Sequence, residues 1–305
     1  MIQKVKKQHF VPRFYLNNFS VREKQKVDVL FKDQKHFAKV NTKSICQKQY
    51  FYDTEDNEWI REWLKKLDEV YNLQMNIEEK LEKNPQYIET VFLNSLETDI
   101  SKIIKQIIKD YDGRLLQDKI VKVKLLIFIE NLYLRGDSFR NKLTNIHNQT
   151  LEFLDKSKIS SDKMMKFKDD YNRNYNPKTS QLKAMMNPIK NLNHLRYKGE
   201  QCDWSLVVIK SKDFFTSDNP TGHFLMNEIC LPLSLNCAIL IRPKNIRQQK
   251  FFKNVETNNY ITHFNEKEIF ISNALQDDAS SILIGEKSSI KKFNNTKNWI
   301  NNYKA

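Results

Sequence analysis

The chain has 305 residues, 40% of them hydrophobic and 11% aromatic, which is enough apolar material for one large core or two modest ones. Its formal net charge of +14 favours a polyanionic partner such as nucleic acid. No run of about 18 apolar residues and no apolar signal core is present, so neither a membrane span nor secretion is expected, and a cytoplasmic address is.

A competing source of the charge is codon bias: lysine and asparagine are abundant throughout while glycine numbers 5 and proline 7, and no basic run reads as an arm. Cys46, Cys202, Cys230 and Cys237 form no C-x-x-C pair, which argues for reduced, buried thiols rather than a zinc ribbon or a disulfide framework.

Taken in order, the segment Gln8-His9-Phe10-Val11-Pro12-Arg13-Phe14-Tyr15-Leu16 sets hydrogen-bonding side chains among aromatics. Disordered leaders are poor in aromatics, so this segment is expected to pack and to draw Gln8, His9 and Arg13 inward. Extended stretches at 27–31 and 37–40 precede an aromatic knot, Tyr50-Phe51-Tyr52. Three long helices then follow. The first starts at Asp56 as N-cap and buries Ile60, Leu64 and Ile77; the second starts at Asn84-Pro85, carries Ile88, Leu96, Ile100 and Ile104, and stops at Asp112-Gly113. The third, 117–143, is apolar nearly all round at 125–129 and belongs at the centre of a helical layer.

Glu130 and Asn131 interrupt that third helix, and Arg135 and Arg140 follow, an arrangement that an internal ion pair also explains. A second helical set spans 145–197, broken at Asn176-Pro177 and Asn187-Pro188. From residue 203 short apolar runs predict strands at 204–209, 229–233 and 238–241, then a helix at 266–277 and a strand at 282–284. The expected fold class is α+β: a mainly helical layer on a small, mostly antiparallel sheet built from the C-terminal third and the N-terminal strands. No Gly/Ser/Pro linker divides 1–305, so its regions 1–55, 56–200 and 201–305 are expected to form one domain ending in C-terminal helices.

Polar groups within apolar surroundings are the places to look for chemistry. Glu97 borders the stripe of Leu93, Ile100 and Ile104, so desolvation raises its pKa unless a cation such as Arg135 or His9 is near. Asp218, in Ser217-Asp218-Asn219-Pro220, sits in a turn that holds one carboxylate at a strand end; an Asx-turn without further role is the plainer reading. No phosphate-binding glycine loop, H-E-x-x-H or G-x-S-x-G occurs.

Four stretches in order resemble a bacterial family called domain of unknown function 4238. They are the Gln8-to-Leu16 motif, Leu96-Glu97 with Ile100, Arg135 with Arg140, and Phe215-Thr216-Ser217-Asp218-Asn219-Pro220 leading to Pro232-Leu233-Ser234. Similar proteins place a proline where this chain has Leu235. The resemblance implies membership and little about activity. Together with it, these residues are expected to converge in one polar cleft: His9, Glu97 and Asp218 as catalytic groups, and Gln8, Arg13, Arg135, Arg140 and Asn219 as substrate-binding groups. Glu97 and Asp218 are the ligands if a cation such as Mg or Mn takes part, and His223 is placed on the same rim. These parts suit phosphodiester cleavage, which makes a nuclease acting on RNA, of the toxin or phage-defence kind, the leading expectation. The alternative is a non-catalytic module for binding protein or nucleic acid, with a buried structural network.

Overall fold

The computed structural model describes residues 4–21, 23–53, 58–71, 76–84, 86–156, 162–186, 192–221, 226–253, 255–278 and 280–304. Strand β1 (Lys7–His9) is followed by helix α1 (Arg13–Leu16), which Pro12 introduces with the extended ψ that a helix entry needs. A hairpin of β2 (Lys26–Phe31) and β3 (His36–Asn41) comes next, and β4 (Gln47–Gln49) returns to pair with β1, Gln8 opposite Lys48.

The helical region holds α2 (Glu58–Tyr71), α3 (Ile77–Lys83), a π-helical segment Ile88–Leu93 that runs directly into α4 (Asn94–Asp110), and α5 (Lys119–Leu134). Then follow α6 (Asp137–Lys156), α7 (Asp162–Asn174), α8 (Pro177–Met186) and α9 (Leu192–Glu200). Two expectations need correction. The helix expected over 117–143 is two helices, because Gly136 loosens the chain after Arg135 and Asp137 suits the first turn of a new one. The first long helix likewise stops before Asn76, whose side chain caps α3 by accepting from the Glu79 amide. The expected Asp56 cap and the Asn187-Pro188 break lie outside the described residues.

The C-terminal third supplies β5 (Cys202–Val208), β6 (Thr216–Ser217), β7 (Ile229–Ser234), β8 (Cys237–Pro243), β9 (Thr257–Asn258) and β10 (Ile261–Thr262), then α10 (Glu266–Asp277), β11 (Ile282–Gly285) and α11 (Lys287–Lys304). Instead of one sheet there are three. Strands β1 and β4 form a pair, β7-β8-β5-β10-β9 form a second sheet, and β3-β2-β11-β6 form a third that joins the N-terminal hairpin to the C-terminal third. All pairings are antiparallel except β5 with β10. The α+β class holds, and the two-residue β6, ending at the turn before Pro220, forms the edge of the third sheet.

One set of buried side chains, including Tyr15, Leu64, Ile104, Phe128, Trp204 and Ile239, joins the N-terminal segment, the helices and the large sheet. Helix α5 lies at its centre, with Leu125, Phe128, Ile129 and Leu132 inaccessible, and truncating a side chain such as Phe128 to alanine costs about 3–5 kcal/mol. The buried Tyr15 hydroxyl donates to the Pro232 carbonyl at 2.6 Å and lies 3.0 Å from Thr216 Oγ1, tying α1 to β6 and β7. All four cysteines are free and buried. Among the described residues no helix is long and apolar enough to cross a membrane.

Candidate functional site

Arg135 is the hub of a polar cluster. It sits where α5 ends, and that position aims its long side chain back beneath the N-terminal segment, leaving it 1% exposed. Nη1 donates to Glu97 Oε1 at 2.8 Å, Nε donates to the Tyr52 hydroxyl at 3.2 Å, and Nη2 donates to the main-chain carbonyl of His9. The Tyr52 hydroxyl in turn donates to the same His9 carbonyl at 3.2 Å. Burial pulls the Arg135 pKa down, but the Tyr52 and Glu97 interactions outweigh it and hold the guanidinium charged. The cation anticipated beside Glu97 is therefore Arg135.

His9 is not that cation. Burial, reinforced by the charges of Arg13 and Arg135, outweighs the Thr42 hydrogen bond and brings its pKa down to about 4. The ring is neutral at pH 7, so Nε2, 3.3 Å from the Thr42 carbonyl, carries the proton and donates. Arg13 stands on the same side with its Nε buried and unpartnered.

Sequence reasoning missed Glu89. Its carboxyl is pushed up to about 7, first by burial and then by the charges of Glu97 and Asp53, against the opposing pull of Arg135. Oε2 of Glu89 is buried without a hydrogen-bond partner. In a regular α-helix Glu89 and Glu97, eight residues apart, would stand about 80° from each other round the axis. The wider π-helical turn between them lags behind that rotation and brings both carboxylates toward one side, where both feel Arg135. Glu97 stays 26% exposed, so the cluster reaches solvent at this edge.

The other expected site residues take different places. Gln8 is inaccessible and fully engaged: Oε1 accepts from the Tyr52 amide at 2.6 Å and Nε2 donates to Asp53 Oδ1 at 2.6 Å. Arg140 donates to Gln181 Oε1 at 2.6 Å and to the Phe51 carbonyl at 2.9 Å, with its guanidinium 3.6 Å over the Phe51 ring. Burial lowers its pKa to about 10, which leaves it charged at neutral pH. Both residues clamp the aromatic knot rather than face the Glu89–Glu97 edge. Asp218 makes its hydrogen bonds elsewhere: Oδ1 accepts from the Ser281 and Ile282 amides at 3.0 and 3.4 Å, and burial raises its pKa. No hydrogen bond or ion pair joins it to His9, Glu97 or Arg135. Asn219 is buried beside it with Nδ2 unpartnered, and His223 lies outside the described residues.

Glu97 is paired with Arg135 and Asp218 with main-chain amides, so the two carboxylates share no hydrogen-bond partner. Among the described residues no group of three or more His, Cys, Asp or Glu is placed to hold a metal ion. The arrangement offers a carboxyl that titrates near neutral pH, fixed positive charge from Arg135 and Arg13, and a neutral imidazole.

The molecule is thus an α+β protein whose N-terminal strand, aromatic knot and central helix meet at one buried arginine. The family model described as protein of unknown function (DUF4238) matches residues 7–296, nearly the whole chain, and the chain belongs to that family. No curated protein and no solved structure matches it.

Proposed function

We propose that this protein is a hydrolase of nucleic-acid phosphodiesters, RNA foremost, working at the Glu89–Arg135 cluster. The observation that carries the reading is the Glu89 carboxyl, buried with one oxygen unpartnered and held ready to exchange a proton near neutral pH beside a fixed guanidinium. Ionised Glu89 takes the proton of the RNA 2′-hydroxyl as its oxygen attacks the adjacent phosphorus. The bond from phosphorus to the 5′-oxygen breaks, and that oxygen leaves with the proton Glu89 returns. Arg135, with Arg13 on the His9 side, offsets the growing negative charge through the field of its guanidinium.

Labelled RNA and DNA incubated with the protein, with and without chelator, test the reading. Cleavage of RNA is expected in both conditions, reduced at least about 100-fold by Glu89→Gln, within the range one acid-base group supplies. No cleavage by the wild type, or equal cleavage by the variant, would overturn it.

A second reading has its own support: Gln8, Arg135 and Arg140 spend donors or acceptors on the main chain of residues 9, 51 and 52, as structural clamps do. A non-catalytic binding module would show a lower melting temperature in each of those variants and no turnover in any.

A further inference from the structure

Two surface depressions, of about 650 and 410 Å³, adjoin across Val21 and Glu23 and are together termed a trench. Lys24 and Lys105 line the first part; Lys26, Lys39, Lys287 and Lys291 line the second, where the 18-residue helix α11 begins. Three carboxylates share the lining, and two are already engaged. Glu23 pairs with Lys26 and Lys39 at 2.7 and 3.4 Å, while Asp28 accepts from the Lys287 amide at 3.3 Å. The trench keeps an excess of positive charge, and the helix N-terminus adds to it.

One wall of the trench is tied through buried Thr42 to the His9 side of the cluster described above. Asn17, on its wall, is one helical turn beyond Arg13 and accepts from Thr42 Oγ1 at 2.8 Å, and the Thr42 carbonyl faces the His9 ring. Lys105 is eight residues beyond Glu97 on α4, about 12 Å along the axis and about 80° round it. Ser20, also on the wall, has its Oγ buried and unpartnered. We infer that this trench is the track for the phosphate backbone of a nucleic-acid strand, held by Lys24, Lys105 and Lys291 and directed toward Glu97, the solvent-facing edge of the cluster. The inference rests on the proposed function for its direction, while strand binding itself is measurable without turnover.

The test is fluorescence anisotropy with a labelled 20-nucleotide 2′-O-methyl RNA, which lacks the attacking hydroxyl, so binding is read whether or not the protein cleaves. Lys24→Glu, Lys105→Glu and Lys291→Glu combined are expected to weaken binding more than tenfold and to flatten the slope of log affinity against log salt by about 2, the share of three phosphate contacts on a single strand. Reversing three exposed lysines elsewhere, Lys163, Lys166 and Lys253, makes the same change in net charge and is expected to weaken binding less than threefold. Equal losses in the two triple variants, or polyglutamate of matching charge binding as tightly as the RNA, would overturn the inference. If the reversed lysines lower the melting temperature, glutamine at the same positions reads the same contrast. Binding lost with the trench while Glu89→Gln still binds separates this claim from the catalytic one.

Discussion

Glu89 and His9 carry opposite proton linkage, and that is the residue-scale signature of the cluster. The folded-state pKa of Glu89, about 7, lies above its ordinary value of 4.5, so its contribution to stability is full below pH 4.5 and lost as pH rises through 7. His9 is depressed to about 4 from 6.5, so its contribution is full above pH 6.5 and lost as pH falls toward 4. Between those limits the two nearly cancel in the wild type. Glu89→Gln unmasks the histidine: relative to wild type it is expected to gain up to about 3 kcal/mol in denaturant unfolding between pH 4.5 and 7. A pH-independent difference would remove Glu89 from the cluster. Arg135→Met should cost about 3–5 kcal/mol, because Glu97 loses its buried partner and two oxygens lose their donor. Asp218→Asn is predicted to keep RNA cleavage yet lower stability by about 1–3 kcal/mol, since its carboxylate caps the Ser281 and Ile282 amides. Full loss of cleavage in that variant would instead return Asp218 to the site.

At the scale of elements, the legible parts of the fold were those with strong local signals. The helix expected at 266–277 is α10, which the structure shows starting at an Asn265 cap with Glu268, and the strands of the β2-β3 hairpin read from their apolar runs. The ion pair of Glu97 with Arg135 was also legible, because a charge beside an apolar stripe needs a partner. Glu89 was not: a π-helical turn has no sequence mark comparable to a cap, and without it the two carboxylates diverge. The split of the strands into three sheets was hidden too, since pairing of β2 with β11 depends on contacts some 250 residues apart in the chain. Close approach fixes that sheet's edge. A Cβ on Gly285 would stand 2.6 Å from Phe215 Cβ, so Gly285→Ala is expected to cost about 1–3 kcal/mol, read as a lower melting temperature.

For the whole molecule, the net charge of +14 bears on association and solubility rather than on fold, and the trench gathers part of it, six lysines against three carboxylates. The N-terminal strand, the helical layer and the C-terminal sheet share core side chains, so the cluster at Arg135 is held by parts of the chain that the sequence keeps far apart. Within that shared core the Glu89 carboxyl is buried with one oxygen unpartnered. The pH dependence of RNA cleavage with chelator present tests this most directly. The wild-type rate should rise with an apparent pKa near 7, and Glu89→Gln should abolish that limb while the protein stays folded. Absence of cleavage at every pH, or an unchanged profile in the variant, would contradict the account.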